Sequence, residues 1–277
     1  MKVFEENISD YIALVDDSKK KLHYFKTGQG SKTLILFHGF GQKGESLEVW
    51  RSPELADFTI YYFDLYYHGQ SIRSNTPLSH EEWNEDFLQF LRQENITSYD
   101  LATFSLGGRF ALSLIKDGRI KPRYCILVAP DGFIQSFYYR LASSKLFNPL
   151  FRFLMNNPAQ FEKVLQLIST LGLASSGTIR FAKRELKDIE NKKRVYKTWT
   201  FFKKLQIPRK ELTSLLSKHS SVHLILGTKD VIIPARELSN KYKRLDQRQI
   251  HLLPSKHNEL IKDSKSLIAS LLLEENL

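Results

Sequence analysis

The chain predicts an α/β fold, with a mostly parallel central sheet, helices on both faces and a helical segment inserted late in the sheet. Three observations support this. Continuously apolar runs at 33–37, 58–63, 124–129 and 222–226 read as strands covered on both faces. Helix-like stretches separate them, which is how parallel strands are joined. From 133 to 207 the alternation stops, and four helical patterns follow one another.

Residues 11–17 and 21–26 read as two short strands around a charged turn, with Gly28 and Gly30 making the next turn, so the chain opens with a hairpin. The strand at 33–37 ends in His38-Gly39-Phe40-Gly41, and the strand at 58–63 ends in Asp64-Leu-Tyr-Tyr-His68-Gly69-Gln-Ser71. Residues 45–55 between them read as a short helix. Ser79 and Glu82 have capping-box spacing and open a helix in which Trp83, Phe87, Phe90 and Leu91 recur at helical intervals. A short apolar segment at 99–102 leads into Thr103-Phe104-Ser105-Leu106-Gly107-Gly108, and 109–116 is helix-like. The inserted helical patterns cover 137–155, 159–171, 178–189 and 192–205, interrupted by Pro149, Pro158 and a Ser175-Ser176-Gly177 loop. In the last of them Val195, Trp199 and Phe202 make one apolar stripe, with Lys192, Lys193, Lys197, Lys203 and Lys204 largely off it. Strands at 222–226 and 250–253 and a helix at 263–273 complete the chain. The boundaries are therefore a first core segment at 1–132, the insertion at 133–207 and a second core segment at 208–277.

The length of 277 residues is enough to bury a sizeable core, and suits one domain carrying an insertion better than two independent domains. A hydrophobic fraction of 42% with 12% aromatics argues against disorder. Cys125, the only cysteine, lies in an apolar run, so it reads as a small buried hydrophobe and leaves no intramolecular disulfide. No pair of histidines has zinc-ligand spacing, and no metal or organic cofactor is expected. The first residues lack the basic-then-apolar pattern of a secretion signal, and no apolar run approaches the roughly 18 residues of a membrane span, so a cytoplasmic location is the expectation. The net charge of +11 is concentrated: between 134 and 210, sixteen Lys and Arg stand against four Asp and Glu, while the rest of the chain is close to neutral.

The chemistry points to Ser105. A serine pinned between a strand end and a helix start is pushed out of the sheet into solvent. Residues two before and two after it approach closely, so small side chains are expected at both. Gly107 fits, whereas Thr103 stands where a glycine is usual, and the turn then needs slightly different packing. An alcohol is a negligible nucleophile at neutral pH and needs a base, and the base needs an orienting acid. Two later strand ends supply them, Asp230 in Gly227-Thr-Lys-Asp230-Val-Ile-Ile-Pro234 and His257 in Pro254-Ser-Lys-His257-Asn. His251 lies within the last strand rather than beyond it, and Asp131-Gly132 also reads as a turn, so both rank behind as base and acid. His38 and His68 read as bonding to backbone near a pocket floor, and His23, His80, His219 and His223 as structural or exposed.

Together His38-Gly-Phe-Gly41, Asp64-Leu-Tyr-Tyr-His-Gly-Gln-Ser71, Phe104-Ser-Leu-Gly-Gly108, Gly227-Thr-Lys-Asp230 and Lys256-His257 resemble the motifs of the α/β-hydrolase superfamily, and the order Ser, Asp, His is that of its triad. The resemblance covers the whole chain and is nearest to the lid-bearing esterase and carbon–carbon hydrolase branch. It implies an α/β-hydrolase fold in which 133–207 serves as a helical lid. Ser105 would be the nucleophile, His257 the base and Asp230 the acid, with the backbone N–H groups of Phe40 and Leu106 as oxyanion hole. The implied activity is hydrolysis of a small or medium ester or thioester through an acyl-enzyme, ahead of carbon–carbon hydrolysis or a lyase step with the same pair. Relatives that cleave haloalkanes carry an aspartate where Ser105 stands, which argues against dehalogenation. A reading of another class is a non-catalytic ligand-binding protein on the same fold.

The basic excess of the insertion suggests an anionic group on the small-molecule substrate, or an acidic surface nearby. A solvated face that keeps the protein soluble accounts for the same charge. Tyr138, Leu141, Phe147, Leu150, Phe151 and Leu154, mixed with Arg140, Lys145 and Arg152, would suit an interfacial helix at a membrane surface. Burial against the core explains the same residues and is the preferred reading. No nucleic-acid-binding motif occurs, and nucleic acid is not expected as a partner.

Overall fold

A computed structural model describes residues 9–17, 20–119, 121–134, 137–174, 176–186, 188–242, 246 and 249–274. Its strands are β1 (Ser9–Asp17), β2 (Lys20–Thr27), β3 (Lys32–Phe37), β4 (Phe58–Phe63), β5 (Ile72–Arg73), β6 (Asp100–Phe104), β7 (Cys125–Val128), β8 (Val222–Gly227) and β9 (Ile250–Leu253). Among the described residues they form one sheet in the order β1-β2-β4-β3-β6-β7-β8-β9, with the short β5 added to β2. The pairs from β4 through β9 are parallel, whereas β2 is antiparallel to β1, β4 and β5. The chain leaves β3 toward β4 and later returns to place β6 on the other side of β3. The carboxyl ends of β3 and β6 therefore flank the point where the winding reverses, the usual crevice of such sheets. Phe37 and Thr103 are register partners there, so the turns carrying His38 and Ser105 leave the sheet side by side.

The helices are α1 (His80–Gln93), α2 (Gly107–Asp117), α3 (Phe137–Ala142), α4 (Asn148–Asn156), α5 (Pro158–Thr170), α6 (Ser176–Glu185), α7 (Ile189–Phe201), α8 (Arg209–Ser217), α9 (Ala235–Lys241), α10 (Leu260–Asp263) and α11 (Lys265–Leu273). The capping box of α1 forms as its sequence requires: Glu82 N–H donates to Ser79 Oγ at 3.2 Å, and Ser79 N–H donates to Glu82 Oε2 at 3.0 Å.

Alternate residues of a strand face opposite sides, so neighbours in β4 meet different partners. Phe63 packs edge-on against Phe90 of α1 and against Phe37, with ring centroids 4.7 and 5.5 Å apart. Tyr62, one residue earlier, stacks on Phe25 at 4.6 Å and lies under the backbone of Gly44. The segment opened by Gly44 is tied to α10 by Trp50 Nε1–H, which donates to Ile261 O at 2.6 Å. Helices thus cover both faces, and Trp83, Phe87, Tyr24 and Trp50 are fully buried between layers. Burying each such ring contributes roughly 2–3 kcal/mol.

Several boundaries differ from the sequence reading for local reasons. Residues 45–55 form no α-helix but two 3₁₀ turns, Gly44–Trp50 and Pro53–Leu55. Arg51 and Ser52 between them are extended, and Ser52 precedes a proline, a position where helical backbone clashes with the ring. The pattern at 137–155 splits into α3 and α4 around Ser144, whose hydroxyl bonds to Leu141 O at 2.8 Å and so competes with the helix ladder. The helical run near the C-terminus starts three residues early and breaks at Ser264 into α10 and α11. β5, α8 and α9 have no counterpart in the sequence reading.

Two compact units are distinguished, one comprising Met1–Ser74, Ser79–Ile134 and Leu205–Leu277, the other Asn75–Leu78 and Gln135–Lys204. The second unit is built on aromatic contacts to α7: Trp199 stacks on Phe151 and meets Tyr139 edge-on, each at 5.6 Å. Leu78 N–H joins it by donating to Phe201 O at 2.8 Å. Lys192 corrects the expected charge pattern of α7. It is buried, with its Nζ 5.3 Å from the Phe161 ring centroid, because Phe161 of α5 packs where an isolated α7 would meet water. Among the described residues no helix is long and apolar enough to cross a membrane.

Candidate active site

Ser105 is the first residue past β6, and its backbone is left-handed, with φ at +47°. That conformation is costly for a non-glycine residue, and the surrounding hydrogen bonds hold it. Ser105 N–H donates to Val128 O at 2.9 Å, while its own carbonyl accepts from Gly108 N–H at 3.0 Å and Asp131 N–H at 2.8 Å. On the far side Gly107 N–H donates to His38 O at 3.1 Å, so the His38-Gly-Phe-Gly41 loop lies against the start of α2. Gly107 has no room for a side chain, since a Cβ there would stand 2.4 Å from Phe37 O. Thr103 does fit. It is fully buried between β3 and β7, and its hydroxyl finds no hydrogen-bond partner among the described residues.

The residues expected to act with Ser105 converge on it. His257 Nε2 lies 3.1 Å from Ser105 Oγ, and His257 Nδ1 lies 2.7 Å from Asp230 Oδ2. A carboxylate only accepts, so Nδ1 carries the proton and the Nε2 lone pair faces the serine hydroxyl. Asp230 follows β8 directly. Its Oδ1 accepts from Ile232 N–H at 2.8 Å and Ile233 N–H at 2.9 Å, which fixes the carboxylate before it meets the imidazole. Asp230 and His257 are both buried. The Phe104 ring lies 5.0 Å from the His257 ring and limits its swing. Among the described residues, the N–H groups of Phe40 and Leu106 find no protein acceptor.

The other weighed residues are occupied elsewhere. Asp131 Oδ2 accepts from Arg109 Nη2 at 2.6 Å, and His251 Nε2 lies 3.2 Å from His223 Nδ1, away from the serine. His38 takes Leu65 N–H on Nε2 at 3.0 Å and donates from Nδ1 to Gly39 O at 2.7 Å, so it is neutral and braces the loop before Phe40. His68 Nδ1 lies 3.0 Å from Tyr66 O. Among the described residues no group of three or more His, Cys, Asp or Glu could hold a metal ion.

Asp64 has a role that the sequence did not reveal. Its carboxylate accepts from Gly44 N–H at 2.8 Å, Gln70 N–H at 2.9 Å and the His23 ring at 2.8 Å, tying the loop after β4 to β2. Burial opposes its ionisation, yet the His23 bond and the two amides outweigh it and hold its carboxyl below the usual carboxylate range. His23 is 41 positions away in sequence, so no local pattern announces the pair.

A family model described as the alpha/beta hydrolase fold matches residues 32–264. The dihydrolipoyllysine-residue acetyltransferase component of an acetoin cleaving system from Cupriavidus necator is 27% identical over 132 residues, covering 47% of this chain and only 34% of that protein. A thermophilic esterase from Thermogutta terrifontis, solved with malate bound, superposes with a TM-score of 0.65 at 16% identity, over 97% of each chain. A hydrolase from Pseudomonas aeruginosa superposes with a TM-score of 0.63 at 18% identity, over 97% of this chain and 99% of that one. At such identities the superpositions speak for the fold, while the family model spans most of the sequence and includes Ser105, Asp230 and His257. The chain belongs to the alpha/beta hydrolase fold family.

Proposed function

We propose that the protein is a serine hydrolase that cleaves a small or medium ester or thioester through an acyl-enzyme on Ser105. The observation that carries this reading is the unbroken relay from Ser105 Oγ through His257 to Asp230, with contacts of 3.1 and 2.7 Å. His257 takes the hydroxyl proton on Nε2 as Oγ attacks the substrate carbonyl, and Asp230 offsets the charge that develops on the ring. The tetrahedral oxyanion is held by the N–H groups of Phe40 and Leu106, each such donor being worth about 3 kcal/mol in the transition state. The adduct collapses, His257 returns the proton to the departing alcohol or thiol, and a water activated by the same ring frees the acid. The inserted helices serve as a lid in this reading, with their cations selecting an anionic group on the substrate.

Labelling with a fluorophosphonate, read by mass spectrometry, tests it. An adduct on Ser105 that vanishes in Ser105→Ala is the expected result, followed by turnover within a panel of p-nitrophenyl esters and acyl-CoA thioesters of graded chain length. No adduct would leave a ligand-binding protein on the same fold. An adduct without turnover of any ester would move the reaction to carbon–carbon hydrolysis.

A further inference from the structure

We propose that the outer face of α4 docks on an anionic lipid surface. Leu146, Leu150 and Phe153 fall four and three residues apart, on one stripe along the helix and the turn that leads into it. Their exposures are 79, 54 and 51%, and Phe147 beside them is 40% exposed. Large apolar side chains normally reach the surface singly, and a row of them on one helix face costs solvation that a folded unit has no need to bear. The fold of the second unit does not require this stripe. The opposite side of α4 is already packed, with Met155 buried and Phe151 stacked on Trp199. Leu167 of the adjoining α5 and Leu171, which caps its C-terminal end, are exposed in the same manner.

Charge decides what covers the stripe. Lys145, in the turn before α4, and Arg152, within it, are both exposed. Between 134 and 184 the single acidic side chain is Glu162. A nucleic acid would satisfy the cations and leave the leucines and phenylalanines in water. A bilayer with anionic headgroups satisfies both, since short amphipathic helices seat apolar side chains below the headgroups while Lys and Arg remain among them. α4 spans only nine residues, so it lies on such a surface rather than crossing it. Phe147 and Leu150, for which burial is the sequence-based preference, are exposed. Docking of this face does not depend on the chemistry at Ser105.

Co-sedimentation of the full chain with vesicles tests the proposal, comparing phosphatidylcholine alone with an equal mixture of phosphatidylcholine and phosphatidylglycerol. Binding to the mixed vesicles at low salt, weakened by high salt and absent on phosphatidylcholine alone, is the expected result. The Leu150→Glu/Phe153→Glu variant should lose at least about tenfold in partitioning while melting as the wild type does, because both side chains point outward. Lys145→Ser/Arg152→Ser should lose about fivefold per removed cation, and a fold failure in one variant leaves the other to read. Ser105→Ala should sediment like the wild type, which separates this proposal from the hydrolase reading. Failure to bind mixed vesicles at low salt overturns it, as does binding that neither variant changes. A concentration-dependent dimer abolished by Leu150→Glu/Phe153→Glu, without vesicle binding, would assign the stripe to a second copy of the chain and overturn it too.

Discussion

Asp230 grips His257 while being gripped itself: one carboxylate oxygen stands 2.7 Å from Nδ1 of the imidazole, and the other accepts the N–H groups of Ile232 and Ile233. An acid held on both oxygens keeps the ring in one tautomer. Asp230→Asn should therefore lower kcat about 10⁴-fold with little loss of fold, because the amide presents an N–H to Nδ1 and the tautomer inverts. Asp131→Asn should change kcat by less than about tenfold, since Asp131 serves Arg109 instead. Steady-state kinetics on a turned-over ester compares the two. A larger loss in Asp131→Asn would reverse the assignment of the acid.

Gly107→Ala should cost about 3 kcal/mol or more, because its Cβ would press on backbone and Cβ atoms of Phe37 that cannot move without disturbing β3. Urea denaturation measures the loss, and a variant as stable as the wild type would contradict the close approach of α2 to β3.

Thr103→Val should raise stability by about 1 kcal/mol, since it replaces a buried, unpartnered hydroxyl with a methyl group of similar size. The melting temperature should rise by about 2–4 °C in a chain of this length, with Ser105 still labelled. A fall in melting temperature would mean that the hydroxyl is bonded.

Acid should weaken the protein in two windows. Burial, reinforced by the Lys116 cation, pushes His80 from 6.5 down to about 4, while its ring stays 2.8 Å from Ser113 Oγ. The unfolded chain then takes up a proton that the folded chain refuses, so stability present above pH 6.5 is lost as the pH falls toward 4. His80→Gln should flatten that part of the pH–melting curve, and an unchanged slope would show that His80 does not titrate as its surroundings require.

Asp64 acts lower. Its folded value is depressed below the ordinary 3.8, so it stabilises the fold above that value and the contribution is lost as the pH falls below it. Asp64→Asn should cost about 2 kcal/mol at neutral pH, with the gap to wild type closing below pH ~4. A gap independent of pH would point to packing rather than charge.

Much of this molecule is written locally. The strands β3, β4 and β6 to β9, the capping box of Ser79, the turn at Ser105 and the positions of Asp230 and His257 just past their strands follow from apolar runs, turn chemistry and the close approach that Gly107 permits. Each of these is a constraint between residues near in sequence, so local pattern was enough for the α/β class and for setting Ser105, Asp230 and His257 at strand ends, whereas their meeting needed the fold. The tertiary structure alone decided that β3 lies between β4 and β6, that His23 finds Asp64, that Arg109 occupies Asp131, that Lys192 is buried over Phe161 and that Leu150 and Phe153 are left bare. The reason is physical. Hydrogen bonds, ion pairs and burial are set by which surfaces come together in space, and a side chain's own neighbours along the chain carry no record of a partner tens of residues away.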